Sequence, residues 1–444
     1  MSELPKITTT ENILGVLTSP QGDGIAAMMC TTTWGPLDEV QSVNSLSDFK
    51  KKYGTDDSTI SGYKAAKAFF NNGGVLKVLR VGHTGYAKAT KTFADTVAAD
   101  ALIITGKYNG TYGDNITVTI TANGSNVNVF VSDGLTTEPY YNLATNAAIV
   151  TAINTGSLCT AAVASGSPVL VAAITATYLT GGDDGITSLA DTDYTTAFDS
   201  YLDTEDYTYL LVPGETADAF QATIMGKLDT RAVNEEKYSR YITGITASET
   251  IATIKARTLS GRRTTLCAPS LVLDDETLDG SYLACALAGK LCNLQIGIAG
   301  TNKTLVGDVD TTYTKPEQSE LLDDSICVIG YSNSVLKCIK DLTRYNDLTS
   351  PYKLGVVCDE IDYARTQYEA YLRGQLGQPN SAINRASISN NLDRVSSTLI
   401  GDGVIETANT AEVLEGSSSD SISASITIKP VYSIDYIELI LNVQ

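Results

Sequence analysis

One histidine, His83, serves the whole chain of 444 residues. A zinc site or a Ser-His-Asp triad would have to be built around that single ring, and an H-E-x-x-H helix is excluded because it needs two. No G-x-S-x-G elbow occurs either, so the strand-to-helix turn that presents a serine nucleophile is missing. The eight cysteines (30, 159, 267, 285, 292, 327, 338 and 358) never form a C-x-x-C pair. Cys267, Cys327 and Cys358 stand inside apolar runs such as Ile326-Cys327-Val328-Ile329, which points to buried thiols in a reducing compartment.

Long apolar runs are also lacking: no stretch approaches the ~20 residues that cross a bilayer. The start Met1-Ser2-Glu3-Leu4-Pro5-Lys6-Ile7 has no basic region followed by an apolar one, so the expectation is folding in the cytoplasm where the chain is made. Positive charge is scarce, with 31 Lys and Arg against 51 Asp and Glu and a net charge of -20. Such a balance repels polyphosphate backbones and argues against nucleic acid as a main partner. The segment from Tyr331 to Ile400 departs from it, since its basic and acidic residues nearly cancel. That segment reads either as a domain with its own ion pairs or as a face that meets an acidic partner.

Motifs that could carry chemistry fail on spacing. Ala288-Gly289-Lys290-Leu291 resembles the end of a phosphate loop, but Ala284 stands where the first glycine belongs and Leu291 where the magnesium hydroxyl belongs. The acidic turns Asp183-Asp184 and Asp308-Val309-Asp310 follow no calcium-ligand spacing and read as solvated. The 24 tyrosines, with Tyr363, Tyr368 and Tyr371 along one predicted helix, suit a core or an interface. No catalytic, cofactor-binding or metal-ligating residue is expected, no cofactor is expected, and an enzyme is disfavoured.

What is present is mixed α/β patterning. Hydrophobic residues are 43% and charged residues 18% of the chain, a globular composition, and the length suggests about three domains. The N-terminal part reads as strand Ile13 to Leu17, turn Gln21 to Gly24 and strand Ile25 to Cys30. A helix is predicted from Ile60 to Asn71, capped by Ser58 or Thr59 and ended by Gly73-Gly74, with a buried strand from Val75 to Val81. From Thr90 to Gly185 the composition turns to Thr, Ala, Val, Asn and Gly. Period-two runs at Ile116 to Ile120 and Val127 to Val131 predict an antiparallel all-β module.

Beyond it, strands at Tyr207 to Val212, Thr265 to Ala268 and Ser325 to Ile329 alternate with helices at Tyr194 to Leu202, Ala217 to Leu228 and Tyr282 to Leu291, a second α/β layer. Ser334 to Thr343 and Asp359 to Arg373 read as two further helices, the second with Ile361, Ala364, Tyr368 and Leu372 on one face and Gly374 past its end. At the C-terminus Ile422, Ala424, Ile426 and Ile428 alternate, Lys429-Pro430 interrupts, and Ile437, Leu439, Leu441 and Val443 alternate again. A strand running to the last residue needs something to hold it, either the subunit's own sheet or a neighbour's edge.

The order of several short motifs carries a resemblance. Trp34-Gly35-Pro36, the helix start Leu46-Ser47-Asp48-Phe49, the aromatic helix ending Phe69-Phe70-Asn71-Asn72-Gly73-Gly74 and the strand Val78 to Val81 resemble the phage tail sheath family. So do Lys107 to Asn115 and the exit Leu179-Thr180-Gly181-Gly182 around the β module, which is similar to the sheath β-sandwich of phages of Gram-positive hosts, and the ending Ile426 to Val443.

The resemblance implies an α+β multidomain fold, with an α/β core built from N- and C-terminal segments, an inserted antiparallel β-sandwich-like domain and a second α/β domain. The implied divisions are an N-terminal arm over 1–20, an α/β segment over 21–90, the insertion over 91–185, the second α/β domain over 186–330, a tube-facing domain over 331–420 and a β arm over 421–444. It implies a structural subunit that stacks as hexameric rings around an inner tail tube, with baseplate and tail terminator proteins at the ends. Contraction would drive the tube through a target envelope, without nucleic acid as partner and without membrane insertion of the subunit. Assembly would take place in the bacterial host cytoplasm, with the finished protein in the tail sheath of a virion.

Terminal arms in that family add strands to neighbours' sheets, which assigns Ile13, Leu14, Val16 and Leu17 at one end and Ile434, Ile437, Leu439, Leu441 and Val443 at the other. Lys337, Lys340, Arg344 and Arg365, in the near-neutral segment, are the candidate tube contacts. The rival reading is a surface or secreted β-rich adhesin, suggested by the Thr-rich module and acidic charge, against which the absent export signal weighs.

Overall fold

The computed structural model describes residues 24–55, 60–164, 169–347 and 349–432. The N-terminal arm residues Ile13, Leu14, Val16 and Leu17, the C-terminal arm residues Ile434, Ile437, Leu439, Leu441 and Val443, and the cap candidates Ser58 and Thr59 lie outside the described residues. The chain forms two compact units, one from Met1–Met28, Lys64–Lys77 and Asp203–Gln444, the other from Met29–Tyr63 and Val78–Leu202.

The first unit is α/β. Within it the sheet orders Val335–Cys338, Cys327–Ser332, Thr264–Ala268, Arg240–Gly244, Tyr209–Leu211 and the first part of Ile25–Cys30. From Ile25–Cys30 to Cys327–Ser332 the pairings are parallel, with Ala26 opposite Tyr209, Tyr209 opposite Arg240, Tyr241 opposite Thr264 and Cys267 opposite Cys327. Arg240–Gly244 and Thr264–Ala268 are buried at every position, as parallel strands covered on both faces must be. These are the short apolar runs predicted at Tyr207 to Val212, Thr265 to Ala268 and Ser325 to Ile329.

Helices Asp218–Asn234 and Gly280–Cys292 alternate with the strands. The second is capped by Asp279, whose Oδ1 accepts from Ser281 N at 2.9 Å, and it lies so close to the sheet that a Cβ on Gly244 would come within 1.9 Å of the Gly280 carbonyl carbon. The pseudo-phosphate sequence Ala288 to Leu291 is internal to this helix. Its amides are therefore spent on helix bonds and cannot cradle an anion.

The expectation of a helix from Ser334 to Thr343 is wrong. Val335–Cys338 is a strand, paired antiparallel to Cys327–Ser332 with Ser332 opposite Val335. Asn333 and Ser334 between them both take positive φ, 51° and 63°, the backbone of the tight turn whose twist matches a hairpin.

The second unit carries two antiparallel sheets. One orders Ile174–Tyr178, Thr117–Asn123, Asn126–Ser132 and Thr137–Leu143; the other orders Thr90–Ala94, Asp100–Gly106 and Cys159–Val163. The period-two runs sit here as read, with Val118 opposite Val131 and Ile120 opposite Val129. Inward-facing Val118, Ile120, Val129 and Val131 from one sheet and Phe93, Leu102 and Ile104 from the other share one core with Trp34, the layout of a sandwich. The module is not all-β: helix Asn146–Ile153, capped by Thr145, buries Ile149 and Ile153 in the same core.

Candidate assembly site

The C-terminal part of the first unit is built on two helices, Gly355–Arg373 and Ala382–Gly401. The stripe Ile361, Ala364, Tyr368 and Leu372 faces inward as predicted, with Ile361 in one apolar cluster and Ala364, Tyr368 and the partly buried Leu372 in the next. The second helix was not anticipated. Its Ile388, Leu392, Val395 and Leu399 recur at helical spacing and pack against that second cluster, and Ser381 caps it by accepting from Asn384 N at 3.2 Å. A hydroxyl pair joins the helices, with Tyr368 Oη and Ser396 Oγ 2.8 Å apart.

Two short ribbons close this face. Ile405–Ala408 pairs antiparallel with Ile428–Pro430, and Glu412–Glu415 with Ile422–Ser425. Lys429-Pro430, read as an interruption, is thus part of a strand, with Pro430 opposite Ile405. The ribbons are tied to the second helix at Ala411, whose N–H donates to Asp393 Oδ1 at 2.7 Å and whose carbonyl accepts from Ser389 Oγ at 2.6 Å. Among the described residues neither ribbon has a third strand. Leu414 and Ile422 remain 54% and 36% exposed. Two strands alone make a marginal sheet, and each ribbon offers ladder groups to any strand that comes alongside.

A buried charge network ties the first of these helices to the parallel sheet. Arg240 donates from Nη1 to Asp341 Oδ1 and from Nη2 to Asp359 Oδ2, both at 2.8 Å, and Tyr209 Oη donates to Asp359 Oδ2 at 2.9 Å. Burial pushes the Asp359 carboxyl up to about 6, a rise that Arg240 opposes and Asp341 assists. The next residue, Glu360, is fully buried. Burial holds its carboxyl well above the usual range, against the opposing hydrogen bond from the Val431 amide.

The predicted tube contacts fall in different surroundings. Lys337 is half-buried on the edge strand and donates to Asn302 Oδ1 at 2.9 Å. Lys340 follows that strand and is partly buried. Arg365 pairs with Glu369 Oε1 at 3.1 Å and stacks over Tyr238, 4.8 Å from the ring centre. Arg344 is corrected: it is 3% exposed, and its guanidinium donates to the carbonyls of Leu259, Asp324 and Arg257. A guanidinium enclosed by three of its own chain's carbonyls ties loops together and has no surface to offer a tube.

In the acidic turns Asp183 and Asp308 are exposed, as read, whereas Asp184 is not. Asp184 is 5% exposed; its Oδ1 accepts from Thr111 N and its Oδ2 from Thr111 Oγ1, each at 2.8 Å, and its carboxylate lies 3.8 Å from Arg80. Asp310 Oδ1 accepts from Ser270 N, and Asp308 Oδ1 accepts from Tyr331 Oη. Asp184, Asp359 and Glu360 were all missed as structural groups. The sequence did hold a cue for Glu360, which shares a helical stripe with Val356, Val357, Ile361 and Ala364. All eight cysteines are buried free thiols. No group of three or more His, Cys, Asp or Glu among the described residues has the arrangement of a metal site.

With this geometry the architecture is that of contractile-tail sheath proteins. The chain is similar to the sheath tail protein of Desulfitobacterium hafniense, with a TM-score of 0.71 and 18% identity over 97% of each chain. It is similar to the sheath tail protein of Listeria innocua, with a TM-score of 0.73 and 17% identity over 94% of each. The contracted helical sheath of the anti-feeding prophage matches over 100% of this chain and 99% of its own, with a TM-score of 0.56 and 13% identity. Residues 24–81 match the family model of the tail sheath protein Gp18 domain III N-terminal region. No curated protein sequence matches the chain. Segment and fold agree, and the likeness to the tail sheath family stands on both.

Proposed function

We propose that this chain is the structural subunit of a contractile sheath, of a phage tail or a phage-derived injection particle, and that it works by polymerising and repacking. Subunits stack as hexameric rings around an inner tail tube, and contraction drives the tube through a target envelope. Baseplate and terminator proteins are its partners at the ends. The terminal arms join neighbours by strand addition. The observation that carries this reading is the pair of two-stranded ribbons at the C-terminal end of the fold, followed in sequence by an alternating segment, Ile437, Leu439, Leu441 and Val443, of the kind that completes a sheet.

Main-chain ladders survive rotation of the bodies they link, so an arm in a neighbour's sheet keeps the mesh joined while the lattice changes. The energy for such a change resides in packed interfaces with two arrangements, which needs no nucleotide. The tube contact is assigned to the C-terminal part, with Lys337, Lys340 and Arg365 as the remaining candidates.

Negative-stain microscopy of the purified protein tests the reading. Striated hollow cylinders are expected, and persistent monomers that bind cell surfaces would favour the adhesin instead. Removing residues 436–444 should leave folded monomers without cylinders, and normal cylinders from that truncation would refute strand addition.

A further inference from the structure

Pro430 is the last residue of its ribbon and has no N–H to give to a ladder. Val431 therefore carries the first amide beyond the ladder, and it is 2% exposed. An amide buried there needs an acceptor. It finds one in the middle of helix Gly355–Arg373: Glu360 Oε2 accepts from Val431 N at 2.8 Å. Tyr432 follows and packs against the cluster of Val356, Val357 and Ile361 on the same helix.

Glu360 does nothing else among the described residues. Its Oε1 is buried and has no hydrogen-bond partner, so half of the carboxyl is left uncompensated, an arrangement that costs stability. An apolar side chain would fill this position of the helical stripe without that cost, and would leave the Val431 amide without a partner. Burial also disfavours the charged form of this carboxyl, and a neutral carboxyl still accepts one N–H through its carbonyl oxygen.

We propose that Glu360 is a positioning residue that latches the root of the C-terminal segment, fixing where and in what direction the chain leaves the subunit. This rests on the strand-addition reading above, in which the residues after Tyr432 are the donated arm. A fixed root restricts the arm's directions before it finds its acceptor edge, and so lowers the ordering cost of strand addition.

Hydrogen exchange at the Val431 amide in the full-length protein, followed by cylinder formation of the same samples, tests the proposal. Glu360→Met removes the acceptor at similar volume, and Glu360→Gln keeps a carbonyl acceptor. Exchange at Val431 should be about tenfold faster in Glu360→Met and close to the parent in Glu360→Gln. Cylinder yield should fall in the first and be rescued in the second.

Should Glu360→Met not fold, Val431→Pro removes the donor while leaving Glu360 in place, and the same loss of cylinders is expected. Unchanged protection at Val431 in Glu360→Met overturns the latch. So does lost protection with normal cylinders, provided that the 436–444 truncation still blocks assembly. Normal cylinders from that truncation would instead overturn the arm reading itself, whatever Glu360 does.

Discussion

In the second unit, seven strands in two sheets enclose one core, and the only tryptophan lies inside it at 2% exposure, edge-on to Tyr108 at 5.4 Å and tilted to Tyr112 at 5.8 Å. At the C-terminal end of the first unit, four strands are spread over two ribbons, each with unpaired ladder groups among the described residues. Both regions cover an apolar surface with β structure. The first encloses its apolar side chains between two sheets, although its outer strands keep open edges. The ribbons rest on two helices and leave apolar side chains such as Leu414 exposed beside their open edges, which is how a surface to be completed by another strand differs from an enclosed core.

The truncation of residues 436–444 probes this contrast most severely, because the closed region should not register it and the open one should lose assembly altogether. Trp34→Ala does the reverse. It empties a large, fully enclosed site and should cost about 3–5 kcal/mol, read as a lower urea midpoint by tryptophan-independent far-UV circular dichroism. A cost under ~1 kcal/mol would mean that the sandwich core tolerates collapse around Gly106 and Gly113, whose added Cβ atoms would each stand 3.2 Å from the Trp34 ring.

Asp184→Ala comes next. Arg80 is buried, donates to the carbonyls of Gly35 at 2.9 Å and Asn109 at 2.7 Å, and is held down to about 10 by burial, with Asp184 acting against that fall. Removing the carboxylate leaves a buried guanidinium without its counter-charge and frees both Thr111 donors, a loss of about 3 kcal/mol. Asp184→Asn, which keeps the acceptor oxygen, should recover part of it. Equal losses from the two would show that charge, and not hydrogen bonding, is what Asp184 supplies.

The same residues show which parts of the molecule were legible beforehand. Local rules sufficed for Gly73-Gly74, which take φ of 100° and 93° where a helix must stop, and for the period-two strands of the sandwich. They misled at Ser334 to Thr343, because Asn-Ser is a weaker turn cue than Asn-Gly and only the pairing partner Cys327–Ser332 settles the strand. They passed over Ala382–Gly401, whose Ser and Asn residues are poor helix formers and whose helix is held by burying Ile388, Leu392 and Leu399. Arg80 with Asp184, and Arg240 with Asp341 and Asp359, are partners a hundred residues or more apart. No window along the chain contains such a pair, so a buried carboxylate in an Asp-Asp-Gly turn looks like any solvated one until the arginine is placed beside it.

A smaller effect is expected from pH. The folded-state carboxyl of Asp359 is raised to about 6 by burial, above its ordinary 3.8. Between these values the folded chain holds a proton that the unfolded chain has released, so this group's contribution to stability is full on the acid side and declines as pH rises from about 4 to about 6. The decline should be on the order of 2 kcal/mol. Asp218, Glu138 and Glu317, whose carboxyls are lowered by hydrogen bonds from neighbouring hydroxyls and amides, work in the opposite direction. The contribution of Asp359 is therefore read from the difference between the parent and Asp359→Asn in urea midpoints across that range. A difference that does not change with pH would mean that Arg240 keeps Asp359 ionised throughout.

The smallest effect separates the two regions most cleanly. Leu414, 54% exposed on its ribbon, adds little to the stability of an isolated subunit, and Leu414→Ser should shift it by no more than ~0.5 kcal/mol. If the ribbons are acceptor edges, the same change should lengthen the lag before cylinders appear, because the exposed apolar face is what an incoming strand would cover. Tyr141, 63% exposed on an edge strand of the sandwich, is the matched control: Tyr141→Ser should leave both stability and assembly as they were. Equal delays from the two substitutions would place assembly contacts on the sandwich as well, and the contrast between a closed and an open region would no longer hold.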